Sequence, residues 1–381
     1  MGSKNVIIVA GEASGDLHGA SLVREIKRID PKVTFGGIGG RALRSTGMDV
    51  WFDSKDLAVV GIFEVIVSLA KIFQAFRYLR HFLRTHKPDL LILIDYPDFN
   101  LPLAKIAKKC GIPVMYYISP QVWAWRKGRV KKIARFVDKM VVIFPFEVTF
   151  YNKYNVDVEF VGHPLLDIVQ PTFLKEEAKR RLGLKEDKTT IALLPGSRSS
   201  EIRKILPSML GAAKILKQTS PDIQFILSIA STLGRGDIQP LIPSDVKDLK
   251  VTDGYIYDVM NASDLIITAS GTATVEAAIM NLPMVIIYRV SPLSYFIARR
   301  LVKVNHIGMV NLIAGERVVP ELIQDEATPD RIASECLKIL GDKLVAITIK
   351  EKLKRVKDRL GVGGASRKTA LIAYSLLRYE A

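Results

Sequence analysis

The sequence predicts an α/β protein with two doubly wound domains, each built on a parallel sheet flanked by helices. Short apolar runs of strand length alternate with helical patterns along the chain, as parallel β-α-β units require. The alternation begins again after a Gly- and Pro-containing segment at residues 162–172, which suits a hinge. With 381 residues, the chain is long enough for two domains of about 150 to 200 residues each.

Apolar runs of strand length occur in both halves of the chain. In the first half they are Val6–Ala10, Leu90–Ile94, Val114–Tyr117 and Met140–Phe144. In the second half they are Ile191–Leu194, Phe225–Ile229, Leu265–Thr268 and Met284–Ile287. Beyond about Pro329 the pattern is almost wholly helical. We therefore expect a first domain over residues 1–165 and a second over 166–364, with a C-terminal helix at about 365–381 that, by fold analogy, packs back on the first domain.

The chain is strongly basic, since 55 Lys and Arg against 39 Asp and Glu give a formal charge of +16. Such a charge favours an anionic partner: nucleic acid, an anionic membrane surface or a phosphorylated substrate. Charge alone does not choose among these three. A hydrophobic fraction of 49% excludes wholesale disorder.

Cysteine usage and apolar segments indicate a cytoplasmic setting. Cys110 and Cys336 form no C-x-x-C pair and no cluster with histidines, so neither a disulfide framework nor a structural zinc site is expected. The first apolar run, Val6–Ala10, is too short for the core of a signal peptide. The stretch Val59–Ala70 is shorter than the ~20 residues that cross a bilayer, but it is able to lie on a membrane surface.

Three loops share one design, in which a strand leads through Gly and Ser residues into a helix. They contain Gly11–Asp16, Gly196–Arg198 and Ser270–Thr274. Glycines let the backbone approach a ligand, and helix N-termini offer N–H donors to phosphate or carboxylate groups. Each loop alone is also explained by a tight turn. Together they argue for a ligand cleft between the domains, although no loop has the dinucleotide G-x-G-x-x-G or the P-loop pattern.

Two carboxylates, Asp95 and Asp98, follow the apolar strand Leu90–Ile94, where open sheets place their ligands. Either one is able to remove a proton from a hydroxyl group. The alternative for Asp98 or Asn100 is capping of a helix that starts near Phe99. Capping explains Asp95 less easily, so Asp95 is the better candidate for a base.

The second half of the chain carries a candidate nucleotide site. Arg198, in its glycine loop, offers a planar fork of donors to a diphosphate, although Glu201 could pair with it as ordinary surface chemistry. Glu276 lies about one turn into the helix after Ser270-Gly271-Thr272 and could accept both hydroxyls of a ribose. The competing interpretation of Glu276 is an exposed helical carboxylate.

Metal ligation is not expected, because the chain has no Asp-x-Asp triplet and its five histidines show no metal-ligand spacing. No cofactor is predicted. His18 and His163 lie beside glycine loops, where they are either polar site residues or hydrogen-bonded structural histidines.

One predicted helix has an apolar stripe with a basic flank. The stripe consists of Ile62, Ile66, Leu69, Phe73 and Phe76. The flank consists of Lys71, Arg77, Arg80, Arg84 and Lys87. Burial in the core is the usual meaning of such a stripe, and insertion into an anionic leaflet is the competing one.

Six motifs occurring in order resemble the lipid-A-disaccharide synthase family of GT-B glycosyltransferases. They are G-E-A-S-G-D at Gly11–Asp16, I-D-Y-P-D-F-N at Ile94–Asn100, S-P-Q-V-W-A-W-R at Ser119–Arg126, L-L-P-G-S-R at Leu193–Arg198, A-S-G-T-A-T-V-E at Ala269–Glu276 and N-L-I-A-G at Asn311–Gly315. The resemblance spans roughly residues 5 to 325. It implies a hexosyltransferase that moves 2,3-diacylglucosamine from its UDP conjugate to 2,3-diacylglucosamine 1-phosphate (lipid X) with inversion, in the biosynthesis of lipid A and lipopolysaccharide.

The resemblance also assigns roles to residues. Asp95 matches the candidate catalytic base, with Glu12, Ser14, Gly15 and Asp98 beside it on the acceptor side. The positions that it places at UDP are Gly196, Ser197, Arg198, Ser270, Gly271, Thr272, Glu276 and Asn311. Ile66, Leu69, Phe73 and Phe76 become candidates for contact with the membrane.

The implied setting is peripheral, on the cytoplasmic face of the inner membrane, with an anionic membrane surface as partner and no nucleic acid. A homodimer that exchanges C-terminal elements is a further expectation from the family. Two other classes compete with this interpretation. One is a related GT-B enzyme, such as UDP-N-acetylglucosamine 2-epimerase or the peptidoglycan glycosyltransferase, and the other is a basic nucleic-acid-binding protein.

Overall fold

A computed structural model describes residues 3–57, 64–123, 127–230, 233–243, 246, 249–292, 295–296, 300 and 305–377. The chain divides into two compact units. The first unit combines Met1–Asp167 with Leu360–Ala381, and the second is Ile168–Arg359. Both are α/β units with a parallel sheet, as the alternating pattern predicted.

The first unit has a seven-stranded sheet in the order β3-β2-β1-β4-β5-β6-β7, and every neighbouring pair is parallel. Its strands are β1 Asn5–Ala10, β2 Thr34–Gly39, β3 Asp49–Asp53, β4 Leu90–Ile94, β5 Val114–Tyr117, β6 Lys139–Val142 and β7 Val158–Phe160. Its helices in this part of the chain are α1 Ala13–Ile29, α2 Arg41–Arg44, α3 Ser54–Leu57, α4 Glu64–His86, α5 Pro97–Lys109, α6 Val130–Phe136 and α7 Pro145–Asn152. Helix α8, Leu165–Ile168, crosses the boundary between the units. Chain order reverses at β1 and β4, so their C-terminal ends form the switch point of this sheet.

The second unit has a six-stranded parallel sheet in the order β10-β9-β8-β11-β12-β13. Its strands are β8 Thr189–Leu194, β9 Ile223–Ile229, β10 Leu249–Asp253, β11 Leu265–Ala269, β12 Met284–Tyr288 and β13 Glu321–Ile323. Its helices are α9 Lys175–Arg181, α10 Ser199–Thr219, α11 Arg235–Ile238, α12 Ile256–Ala262, α13 Thr272–Ile279, α14 Met309–Ala314, α15 Pro329–Gly341 and α16 Lys343–Arg359. The switch point here lies between β8 and β11.

The apolar pattern did not predict strand β2, because this strand is rich in glycine. A Cβ at Gly36 would press into the Trp51 ring, and a Cβ at Gly37 would overlap the carbonyl oxygen of Ile8 in the neighbouring strand. Gly37 also has a φ of +136°, and the pairing with β3 shifts register between Gly37 and Ile38. This strand therefore needs glycine for close backbone approach, which removes the side chains that mark a strand in sequence.

The apolar stripe predicted for α4 divides between two environments. Ala75, Leu79 and Leu83, which were not part of the predicted stripe, are buried, and the Phe76 ring meets the Phe99 ring edge-to-face at 5.6 Å. Phe76 was therefore wrongly grouped with membrane-facing residues, because it packs against the core.

The other side of α4 carries apolar side chains that remain accessible. Leu69 is 55% exposed and Phe73 is 66% exposed. Ile62 and the side chain of Ile66 lie outside the described residues. The helical spacing was read correctly, but it spans a buried face and an exposed one.

The C-terminal region is helical beyond Pro329, as predicted, and its last helix, α17 Ala365–Leu376, contacts α1 within the first unit. The returning chain is held by two hydrogen bonds. The His163 N–H donates to the Leu360 carbonyl at 2.9 Å, and the Gly364 N–H donates to the Asp167 carboxylate at 2.7 Å. A Cβ at Gly162 would crowd the Val362 carbonyl, so this crossing requires a glycine.

His18 and His163 occupy the same buried region of the first unit. Burial lowers the pKa of His18 to about 4. Burial, and then the proximity of His18, lower the pKa of His163 to about 3. The Nδ1 atom of His163 accepts the Leu165 N–H at 3.2 Å. Both rings are therefore neutral at neutral pH.

These lowered pKa values predict that the protein loses stability in mild acid. The unfolded chain binds protons near the ordinary histidine pKa of about 6.5, whereas the folded chain does not. Stability is therefore fully present above pH 6.5 and is lost as the pH falls toward 4. At pH 5 the loss is about 2 kcal/mol for each histidine.

Urea unfolding at pH 7.5 and pH 5 measures this loss. In His163→Asn, where a side-chain oxygen is able to take the place of Nδ1, the loss between the two pH values should be smaller by about 2 kcal/mol. His81→Asn removes an exposed histidine and should match the wild type. Equal losses in all three proteins would contradict the assignment.

Candidate donor and acceptor sites

The second unit holds a cavity of about 470 Å³ where β8, β9 and β11 end. Its walls include residues from two of the three predicted glycine loops, those at Gly196–Arg198 and Ser270–Thr274, together with Glu276. The lining residues that the sequence also predicted are Gly196, Ser197, Arg198, Ser270, Gly271, Thr272 and Glu276. Parallel strands put these loops at one edge of the sheet, which is why residues so far apart in sequence share one cavity.

The loop before α10 contains Gly196, in a conformation that favours glycine, and the basic side chain of Arg198. Gly196 has a φ of +110°, and a Cβ there would overlap the Glu201 carboxyl group. Burial raises the pKa of Glu201, while the Arg198 charge and the Ser197 N–H act to lower it. Glu201 thus lies beside Arg198, and both line the cavity. The Arg198 charge therefore acts on Glu201 at the cavity wall.

Glu276 faces the cavity rather than open solvent. One carboxylate oxygen accepts the Tyr257 hydroxyl at 3.1 Å. Burial raises the pKa of Glu276, and the Tyr257 hydrogen bond partly opposes this. The interpretation of Glu276 as an exposed helical carboxylate is therefore wrong, because most of its surroundings are protein.

The sequence reasoning missed Tyr255 and Tyr257. Tyr255 lines the cavity, is 67% exposed and has a φ of +51°. Large side chains rarely adopt positive φ, and such strain concentrates at functional sites. The signal in the sequence was the Gly254-Tyr255 pair directly after β10, which indicates a tight turn carrying an aromatic ring to the sheet edge.

Asn311, which the resemblance placed at UDP, is not among the residues that line this cavity. It is 0% exposed, and its amide bonds to protein groups on both sides. The Nδ2 group donates to the Val319 carbonyl and to Glu321, while Oδ1 accepts the N–H groups of Val318 and Val319. An amide with two donors and two acceptor positions has no capacity left for a ligand.

In the first unit, Asp95 lies on a tight turn at the end of β4. Asp95 and Tyr96 have φ values of +43° and +49°. The Asp95 carbonyl accepts the Tyr116 hydroxyl at 2.5 Å and the Asn100 amide at 2.6 Å. The Tyr96 ring covers Gly11 so closely that a Cβ there would overlap it. These contacts stabilise the strained backbone of the turn and thereby restrict the position of Asp95.

The Asp95 carboxyl is poised to exchange a proton near neutral pH. Burial, and then the negative charge of Glu12, raise its pKa to about 6. Glu12 is exposed and precedes α1, so the loops after β1 and β4 bring the two carboxyl groups close together. A carboxylate with this pKa is a stronger base than an ordinary aspartate and remains ionised at pH 7.

The other residues that the resemblance placed on the acceptor side lie in separate environments. Asp98 is exposed and pairs with Arg129. Neither Asp98 nor Asn100 caps α5, because the helix begins at Pro97 and Asn100 instead donates to the carbonyls of Ile94 and Asp95. The helix expected near Phe99 therefore starts two residues earlier.

Within the first glycine loop, Ser14 is exposed and Gly15 is buried against Ile94. Asp16 has a structural role that its motif did not reveal. Its carboxylate accepts the N–H groups of Gly40, Ala42 and Leu43, which fixes the start of α2. The motif thus combines exposed and structural residues.

Two further searches covered only the residues that the structure describes. In that part of the chain, no three His, Cys, Asp or Glu side chains are grouped so as to hold a metal ion. No described helix has both the length and the apolar character needed to cross a membrane.

Comparison with known proteins gives matches along nearly the whole chain. The family described as lipid-A-disaccharide synthetase matches residues 6–373. The lipid-A-disaccharide synthase of Geobacter sulfurreducens is 53% identical over 375 residues, covering 98% of both chains. That of Coxiella burnetii is 40% identical over 377 residues, covering 99% of this chain and all of the other.

Solved structures with little sequence identity share the architecture. A UDP-GlcNAc 2-epimerase from Neisseria meningitidis bound to UDP-GlcNAc has a TM-score of 0.67 at 14% identity and covers 98% of this chain and 100% of its own. The calicheamicin glycosyltransferase CalG4 has a TM-score of 0.63 at 14% identity, with 99% of each chain covered. At this identity the likeness concerns the fold alone.

Proposed function

This chain belongs to the lipid-A-disaccharide synthetase family, and on that premise we propose that it transfers 2,3-diacylglucosamine from UDP to lipid X. It is a hexosyltransferase with the GT-B fold, and a UDP-sugar is its donor. The product would be a β-1,6-linked disaccharide 1-phosphate of lipid A biosynthesis. The observation that carries this proposal is the full-length match to relatives that are 40–53% identical, since it covers both units and every motif.

The cavity of the second unit supports a UDP site. Arg198 and the loop around Gly196 offer a guanidinium and backbone N–H groups, which suit a diphosphate. Tyr257 occupies one oxygen of Glu276, which leaves its other oxygen for the ribose hydroxyls. The exposed Tyr255 ring gives the uracil an apolar surface.

The turn at Asp95 supports its role as the general base. The acceptor 6-hydroxyl is a poor nucleophile until its proton is removed, and a carboxylate with a pKa of about 6 accepts that proton at neutral pH. Attack on the anomeric carbon expels UDP and inverts the configuration from α to β. Negative charge then grows on the diphosphate, where Arg198 stabilises it.

The exposed side of helix α4 supports contact with an anionic membrane surface, which in this proposal is the cytoplasmic face of the inner membrane. A groove of about 470 Å³ beside Phe73 is lined by apolar and basic side chains. Its lining residues are Ala70, Phe73, Gln74, Arg77, Tyr78 and His81. Apolar side chains that insert at the interface and cations that meet anionic headgroups are the features of an interfacial helix. Substrates with acyl chains would be met at that surface.

Replacing the base should abolish product formation without affecting donor binding. Mass spectrometry of reactions with UDP-2,3-diacylglucosamine and lipid X should detect the disaccharide 1-phosphate with wild-type protein and not with Asp95→Asn. Calorimetry should give both proteins the same Kd for UDP. Asp187→Asn, which changes an exposed aspartate, should behave as wild type. No product from the folded, UDP-binding wild type would refute the activity.

The pH dependence of turnover tests the same base more sharply. Because only ionised Asp95 accepts a proton, turnover should fall about tenfold per pH unit below its pKa of about 6. Glu12→Gln removes a negative charge that raises this pKa, so the acidic limb should move to lower pH. If the acidic side of the pH–turnover profile is the same in Glu12→Gln and wild type, a group other than Asp95 controls the loss of turnover.

Removing the Arg198 guanidinium should weaken UDP binding. Loss of a charge-assisted contact should raise the Kd of Arg198→Ala by about tenfold or more in calorimetry. Arg203→Ala changes an exposed arginine in α10, the helix that follows Arg198, and should leave the Kd unchanged. Equal affinities for all three proteins would remove Arg198 from the donor site.

Liposome flotation separates the two faces of α4. Leu69→Ser with Phe73→Ser should reduce binding to vesicles containing anionic phospholipid, while the melting temperature stays near that of the wild type, because both side chains are exposed. Phe76→Ser should lower the melting temperature, because that ring packs against Phe99. If the double variant floats as well as wild type, α4 is not the docking face.

A further inference from the structure

Glu321 is a buried carboxylate near the cavity of the second unit, and it has no part in the proposed mechanism. It opens β13 and is 8% exposed. It accepts the N–H groups of Ile307 and Gly308, each at 3.0 Å, and the Asn311 amide at 2.7 Å. A buried carboxylate is costly unless its oxygens are hydrogen-bonded, and these three donors meet that need. They also fix the chain before α14 in one position.

Asn311 holds this carboxylate in place. Its second N–H bonds to the Val319 carbonyl at 3.0 Å, and its oxygen accepts the N–H groups of Val318 and Val319 at 2.8 and 3.1 Å. The amide therefore joins α14 to the chain that leads into β13. An aspartate could not do this, since it has no N–H groups and would repel Glu321.

The loop that carries Ser270 is connected through Ile307 to the cluster formed by Asn311 and Glu321. The Ser270 hydroxyl donates to the Ile307 carbonyl at 3.1 Å, and the backbone N–H of Ile307 is bound by Glu321. Ser270 lines the cavity. Gly308 has space for no side chain, because a Cβ would press on Ile286 and Glu321. Residues 307–308 thus link the carboxylate to the cavity wall.

We propose that Asn311 and Glu321 are positioning residues for the donor site, which they shape without touching the nucleotide. Asn311 orients Glu321, Glu321 fixes residues 307–308, and Ile307 orients Ser270 on the cavity wall. This inference rests on the proposed donor site in the second unit. It assigns Asn311 an indirect role in place of direct contact with UDP.

A charge-exchange pair of variants tests the cluster. Asn311→Asp places two carboxylates together and should raise the Kd for UDP and the KM for the donor by about tenfold or more. The KM for lipid X should not change. In the double variant Asn311→Asp/Glu321→Gln, the repulsion between two carboxylates is removed, so UDP affinity should recover part of this loss, although the aspartate still cannot donate to the Val319 carbonyl. Calorimetry and thermal melting are run on every protein.

Controls separate positioning from folding and from direct contact. Asn305→Asp adds the same charge to an exposed site in the same segment and should bind UDP as wild type. If Asn311→Asp shows no cooperative melting transition, the single variant Glu321→Gln is the test instead, and its Kd for UDP should rise. Unchanged affinity in a folded Glu321→Gln, or no recovery in a folded double variant, would overturn the positioning role. A wild type that does not bind UDP would instead overturn the donor site itself.

Discussion

Parallel pairing of the strands is the constraint on which both candidate sites depend. When all strands of a sheet run in one direction, every loop that follows a strand emerges at the same edge. In the first unit this gathers the loops after β1 and β4, so that Glu12 influences Asp95 across more than eighty residues of sequence. In the second unit it places Arg198 and Glu276 on one cavity.

Backbone conformations that only certain residues tolerate shape these edges. Gly196 turns sharply so that Glu201 can pack beside it, and the Tyr96 ring takes the space that a side chain at position 11 would need. Asp95, Tyr96 and Tyr255 adopt positive φ without being glycine. The surrounding hydrogen bonds and packing compensate for that strain, and in return the side chains are held at fixed positions.

Buried polar groups provide the rest of the order. Asp16 organises α2, and the Glu321 carboxylate organises the chain before α14. Each is stable in the interior because several N–H donors converge on it. Motifs that resemble binding signatures therefore contain residues whose first task is to hold the backbone. At such positions, loss of activity on substitution does not identify a ligand contact.

The sequence by itself determined the fold class, the family and seven of the residues that line the cavity of the second unit. Strand alternation and glycine loops are local signals, and they identified the two parallel sheets and the loops that carry Arg198 and Glu276. Strand β2 was not predicted, because it has glycines where the backbone comes close to its neighbours and therefore lacks the apolar side chains that indicate a strand.

Only the tertiary structure decided which members of a pattern face the core and which face a site. Asn311 shares a motif with loop residues, yet its amide is fully used inside the protein, and Phe76 shares a helical stripe with Phe73, yet only Phe73 is exposed. The pKa of Asp95 likewise depends on Glu12, its neighbour in space. Burial and hydrogen-bond saturation are properties of three-dimensional neighbours, so no spacing along the chain specifies them.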